Sequence, residues 1–155
     1  MKNSLPLIAL TALLAASQAH AQTTATDAWI RGTVAQQKTT GLFVKLTSVK
    51  GGRLVSASSP VARLAEVHVM SMKGDVMTMR AAPALDLPAG KTVALEPNGA
   101  HVMLIDLQHE LKAGDIVPVT LVIEDKDKKR ETLAVKARVE ALGAPHDDHA
   151  GMKMN

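Results

Sequence analysis

Two hydropathy patterns divide the chain. Leu5 to Ala16 is an apolar stretch broken only by Pro6 and Thr11, and no second long apolar run follows it. Beyond residue 27, short segments rich in Val, Leu, Ile and Thr are separated by turn residues, the pattern of many brief strands. They cover Ala28 to Val34, Gly41 to Val49, Leu54 to Ser58, Ala65 to Met72 and Val76 to Arg80. Thr92 to Leu95, His101 to Leu107, Ile116 to Glu124 and Glu131 to Val139 complete the set. Turn signals fall between them at Lys50-Gly51-Gly52, Lys73-Gly74-Asp75, Leu87-Pro88-Ala89-Gly90, Pro97-Asn98-Gly99 and Ala113-Gly114-Asp115. Val119, Leu121 and Ile123 alternate with Thr120, Val122 and Glu124, as in a mostly buried strand. No helical stripe of useful length is visible. The expectation is an all-β single domain, an antiparallel sandwich or barrel.

The ends read differently. Lys2 is the only charge before residue 27, and Ala19-His20-Ala21 closes the apolar stretch with a small-x-small pattern. Together these predict a signal peptide over residues 1–21, cleaved after Ala21. The apolar run is shorter than the ~20 residues a membrane span needs. The expected product is exported without stable membrane insertion, to the periplasm of a bacterium with an outer membrane. A folded domain is then expected over 22–140 and a mobile polar tail over 141–155.

Composition removes several functions. With 46% hydrophobic and 21% charged residues the chain is globular rather than disordered. A net charge of +3, with no dense basic face, argues against nucleic acid. Trp29 and Phe43 are the only aromatics, too few for base stacking or a sugar platform. There is no cysteine, which excludes disulfides, thiolate nucleophiles, zinc thiolates and blue-copper centres. Methionine is the outlier: eight residues, and all but the first lie in three short segments.

The richest segment runs from Val67 to Arg80 and holds His68, Met70, Met72, Met77 and Met79. A hairpin turning at Lys73-Gly74 would place His68 opposite Met79 and Met70 opposite Met77, all on one side of the ribbon. Opposed Cβ atoms lie ~4.5–5.5 Å apart, close enough for two donors to share one ion. Downstream, His101 and Met103 stand two apart in a strand, on one side of it, just after a turn. His68, Met79, His101 and Met103 thus make a two-His, two-Met set. Thioether is neutral and soft and favours Cu(I), and imidazole suits copper also. Mg²⁺ and Ca²⁺ would want carboxylates, which these segments lack except Glu66 and Asp75. Zinc takes Cys, His or carboxylate. Four neutral ligands leave the ion's charge uncompensated, which suits a carrier that yields Cu(I) to a thiolate-bearing acceptor. Met70 and Met77 fit packing roles; His109 and Arg80 fit the solvated surface.

The gaps in His68, Met79, His101 and Met103 match the motif H-x10-M-x21-H-x-M. In this the chain resembles the periplasmic copper chaperones of the PCuAC family. Asp27-Ala28-Trp29-Ile30-Arg31, Ala57-Ser58-Ser59-Pro60, Leu87-Pro88-Ala89-Gly90 and Val117-Pro118-Val119-Thr120-Leu121 are similar to that family as well. The resemblance spans about Asp27 to Val139. It implies a cupredoxin-like Greek-key β fold that binds Cu(I) through the four named residues. It also implies delivery toward cytochrome oxidase copper-centre assembly, with a cytochrome oxidase subunit or a thioredoxin-like copper carrier as acceptor. One departure is Ala100, where many members carry an aromatic before the second His.

The tail adds His146, His149, Met152 and Met154, a second set able to chelate copper without a prefolded site. The family's tailed members suggest Cu(II) uptake there. Nothing in the sequence points to an enzyme: no Ser/His/Asp set, carboxylate-pair motif or phosphate loop stands out. Two other readings stay open at this point. Periplasmic copper storage or detoxification needs the same ligands. A metal-independent β-sandwich interaction module explains the fold but leaves the methionine clustering accidental.

Overall fold

The alternation of the sequence becomes ten strands in a computed structural model, which describes residues 22–144. The strands are β1 (Thr23–Arg31), β2 (Thr39–Ser48), β3 (Gly52–Ser58), β4 (Ala62–Lys73), β5 (Val76–Ala81), β6 (Leu85–Leu87), β7 (Thr92–Leu95), β8 (His101–Leu107), β9 (Ile116–Glu124) and β10 (Arg130–Glu140). Among the described residues there is no helix, and so none long and apolar enough to cross a membrane. The signal-peptide segment 1–21 and most of the tail, with His146, His149, Met152 and Met154, lie outside the described residues.

Hydrogen bonding joins the strands in the order β5-β4-β8-β2-β1-β10-β9-β3-β6, with β7 on β2. One cluster of buried side chains draws on both halves of that sheet. Leu42, Val44 and Leu46 of β2 and Val102 and Leu104 of β8 meet Leu54 of β3 and Val119, Leu121 and Ile123 of β9. A single sheet whose two halves share one core has folded over into two layers. This is the cupredoxin-like sandwich the sequence led us to expect. Each fully buried leucine in it contributes about 1.5–3 kcal/mol over its exposed state.

Three details differ from expectation. The pairing is not wholly antiparallel, because β1 and β10 run parallel, Trp29 beside Arg138 and Arg31 beside Glu140. β1 begins at Thr23, ahead of the expected Ala28, and β6 is a three-residue strand that the pattern did not suggest. The β4–β5 register is also displaced. Lys73 pairs with Val76, so the two-residue turn is Gly74-Asp75 rather than Lys73-Gly74. Gly74 takes φ 65°, the positive value such tight turns require. His68 therefore opposes Ala81, Met70 opposes Met79, and Met72 opposes Met77. The displacement is two residues, a full side-chain period, so every residue keeps the face assigned to it.

A bulge in β1 does the opposite. Thr26 pairs with Lys45 but Trp29 pairs with Phe43, one extra residue on the β1 side. Asp27 holds the bulge at φ 53°, a region that Asp tolerates better than most side chains. The extra residue puts Ile30 opposite Leu42 in the core and turns Trp29 to the other face, beside Phe43.

Candidate metal centre on the outer sheet face

The face turned away from the core carries the chemistry. Leu42, Val67, Val102 and Leu104 point into the shared core, so their neighbours along each strand point outward. On β4 and β8 those outward residues pair as His68 with His101 and Glu66 with Met103. Met70 and Met79 occupy the next outward rung on β4 and β5, and Gly41 of β2 lies beside Met103. Phe43 and Trp29 extend the strip onto β2 and β1. Five adjacent strands thus contribute to one outward strip.

Two imidazoles form its centre. The His68 and His101 ring centroids are 5.9 Å apart, at an interplanar angle of 47°. His101 is buried, 5% exposed, and its other flank meets the Phe43 ring at 6.0 Å. Phe43 stacks on Trp29 at 4.3 Å, and Arg31 lies over the Phe43 ring at 5.6 Å. The chain's two aromatics therefore make a wall behind one histidine. Gly41 makes room for it, since a Cβ there would stand 2.6 Å from Phe43 Cζ.

Hydrogen bonds select the free nitrogen on each ring. His101 Nδ1 donates to the Gly99 carbonyl at 3.2 Å. That bond leaves the Nε2 lone pair for a ligand. Burial pushes the His101 pKa below the ordinary histidine value, against the pull of the Gly99 carbonyl. The nearby His68 and Arg31 charges push the same way as burial. The ring is thus held in the neutral form that binds metals. His68 Nε2 donates to Glu66 Oε2 at 3.1 Å. Its Nδ1 is buried and has no hydrogen-bond partner. A buried polar nitrogen without a partner carries a desolvation cost that a ligand would relieve.

The four residues of the sequence motif are not equally close. His68 and His101 stand side by side, and Met103 is one outward rung away, half-buried opposite Glu66. Met79 lies one rung to the other side, on β5, and is 48% exposed. Met79 is thus diagonal to His68 rather than opposite it. Among the described residues no three His, Asp or Glu side chains gather as a hard-metal site. The donors present are two imidazoles flanked by thioethers, which suits a soft monovalent ion.

Sequence reasoning missed three participants. Glu66 could have been found, because i and i+2 share a face of a strand and a carboxylate two residues from a metal-type histidine is a common orienting partner. Phe43 and Trp29 could not, since their meeting depends on the β1 bulge.

The fold and this strip define the class: a cupredoxin-like domain with a His/Met strip on the outer face of its sheet. Residues 23–139 match the family profile described as "LpqE-like: Putative lipoprotein LpqE-like". The chain belongs to that family, which is the PCuAC family. A curated relative, "Putative lipoprotein Lxx21020" of Leifsonia xyli subsp. xyli (strain CTCB07), is 31% identical over 110 residues. That alignment covers 70% of this chain and 66% of the relative, just under two thirds of its length. Among solved structures, the chain is similar to CuI-DR1885 from Deinococcus radiodurans, with 31% identity, TM-score 0.58, and coverage of 81% of this chain and 83% of that one. For apo-DR1885 the values are 28%, 0.58, 91% and 97%. The copper-bound PCuAC domain from PmoF2 shares the fold at 22% identity and TM-score 0.61, covering 77% of this chain and 93% of that domain.

Proposed function

We propose that this protein is a Cu(I) carrier, exported to the periplasm after cleavage behind Ala21, that passes its ion to acceptor proteins of copper-enzyme assembly. The observation that carries the reading is the side-by-side pair His68 and His101, each with one ring nitrogen hydrogen-bonded and the other free. His68 and His101 supply the two nitrogens from strands rooted in the core, and Met103 adds a sulfur from the same strand as His101. Met79 adds the fourth ligand from β5. Support comes from family membership and from likeness to a protein solved as its CuI form. The lipoprotein naming of the family and the curated relative supports export.

The ligands do simple work. Both imidazoles are oriented before the ion arrives, so little ordering cost remains on binding. No ligand carries charge, so the ion keeps its positive charge, and a thiolate-bearing acceptor can outcompete the set. A cytochrome oxidase subunit and a thioredoxin-like carrier are acceptors with that chemistry. The tail residues His146, His149, Met152 and Met154 serve Cu(II), so deleting residues 144–155 should lower Cu(II) uptake and leave the Cu(I) site at His68 and His101 intact.

The test is Cu(I) titration against a competing chelator, with X-ray absorption on the loaded protein. The parent should show mixed nitrogen and sulfur scattering. Replacing His68 and Met103 together should abolish tight binding. A double variant that binds as tightly as the parent would overturn the assignment.

A further inference from the structure

The β4–β5 hairpin carries three methionines that the four-ligand set leaves unused. Met70 and Met72 on β4 and Met77 on β5 share the outward face with Met79. The rungs read Met72 opposite Met77 and Met70 opposite Met79, and the next is His68 opposite Ala81. The reverse face of the same ribbon holds none of these sulfurs. There Ser71 and Thr78 face each other with hydroxyls 3.1 Å apart, beside Lys73 and Arg80.

Core filling, the ordinary use of methionine, does not explain this face. Met72 is 61% exposed and Met77 52%, and the buried core cluster takes nothing from β5. Opposed Cβ atoms are ~4.5–5.5 Å apart and diagonal ones ~7–8 Å, so Met70, Met72 and Met77 lie within reach of one point above the ribbon. Each sulfur sits on an arm with three rotatable bonds and can turn toward that point. Three neutral soft donors in water, with no carboxylate or imidazole among them, select Cu(I) or Ag(I) over harder ions.

We propose that Met70, Met72 and Met77 form a second, outer site for a soft monovalent ion near the hairpin tip. Met79, opposite Met70, lies on the rung between the tip and the His pair, so the outer site feeds the inner one. This rests on the Cu(I) reading of the inner site. The outer site is solvent-exposed, lacks imidazole, and is the weaker of the two.

The test compares the full chain with its M72L/M77L variant, both loaded with Cu(I) under anaerobic conditions and weighed intact by native mass spectrometry. Leucine keeps the exposed apolar surface and removes only the sulfurs. The variant should carry one ion fewer than the parent at saturating Cu(I), and Ag(I) should give the same difference. An H68A/H101A variant should keep the outer ion, with sulfur-only scattering. Equal ion counts in the parent and M72L/M77L would overturn the proposal and leave the methionine face as an apolar docking surface. X-ray absorption on M72L/M77L reads the inner site alone. Missing nitrogen scattering there, with the ion difference intact, would sink the inner assignment while the outer site stands.

Discussion

Replacing Gly41 by alanine tests whether the aromatic wall holds His101 in place. The added Cβ would lie 2.6 Å from Phe43 Cζ and 3.1 Å from Cε2. Carbon atoms in contact rest at about 3.5–4.0 Å, so the ring must retreat by about 1 Å. It has little room: Phe43 is 3% exposed, Trp29 stacks on it at 4.3 Å, and His101 is 6.0 Å away. Overfilling a packed site costs about 1–3 kcal/mol. For a domain of this size that corresponds to a fall in Tm of roughly 4–12 °C. The displaced ring presses on His101, so Cu(I) affinity should fall as well. Thermal melts of G41A, F43L and the double variant make the assay. Leucine lacks the far edge of the ring, so the double variant should be more stable than the sum of the singles by at least about 0.5 kcal/mol. A G41A protein that melts with the parent, or strictly additive singles, would refute the reasoning.

Three further outcomes follow from the same geometry. Removing the carboxylate that holds His68, as E66A, should weaken Cu(I) binding by about tenfold, with E66Q nearer the parent, as read by chelator competition; E66A at parent affinity would free Glu66 of that role. Glu124 accepts from Arg53 at 2.8 Å, and that bond, with Lys128 and Arg130 nearby, holds its carboxyl below the usual range. A pKa lowered by folding stabilises the protein above the unfolded value of about 4.3 and loses that contribution as pH falls through the folded value, so urea midpoints should decline in that acid range and decline less in E124Q. Finally, L104A sits at a fully buried position on the core face of β8. It should cost about 2–5 kcal/mol in urea unfolding yet keep the Cu(I) count, because its side chain points away from the strip.

Much of this was readable from residue patterns, and the exceptions have physical causes. Thr92–Leu95, His101–Leu107 and Ile116–Glu124 form strands with the bounds expected, because turn residues flank clear β-favouring runs. The face of the methionines was readable because a strand's period is two and the register error was two. The register itself was not, since Lys-Gly and Gly-Asp are both plausible turn pairs; the two-residue loop settles on Gly74-Asp75. The parallel β1–β10 pairing joins residues about a hundred apart in sequence and leaves no local trace. The Trp29–Phe43 contact needed the extra residue at Asp27, which breaks the alternation on which strand reading depends.

Strand β5 ends the sheet, is exposed at all six positions, and gives no side chain to the core cluster. Peeling it away therefore costs far less than global unfolding, and such opening draws on the low end of local stability. The imidazole pair sits on strands that cannot loosen without the core, whereas Met79 rides on one that can. With Met79 as a ligand in the proposed carrier, grip and melting point become separable properties: damage to β5 should be silent in a thermal scan and audible only in amide exchange or in how fast Cu(I) leaves.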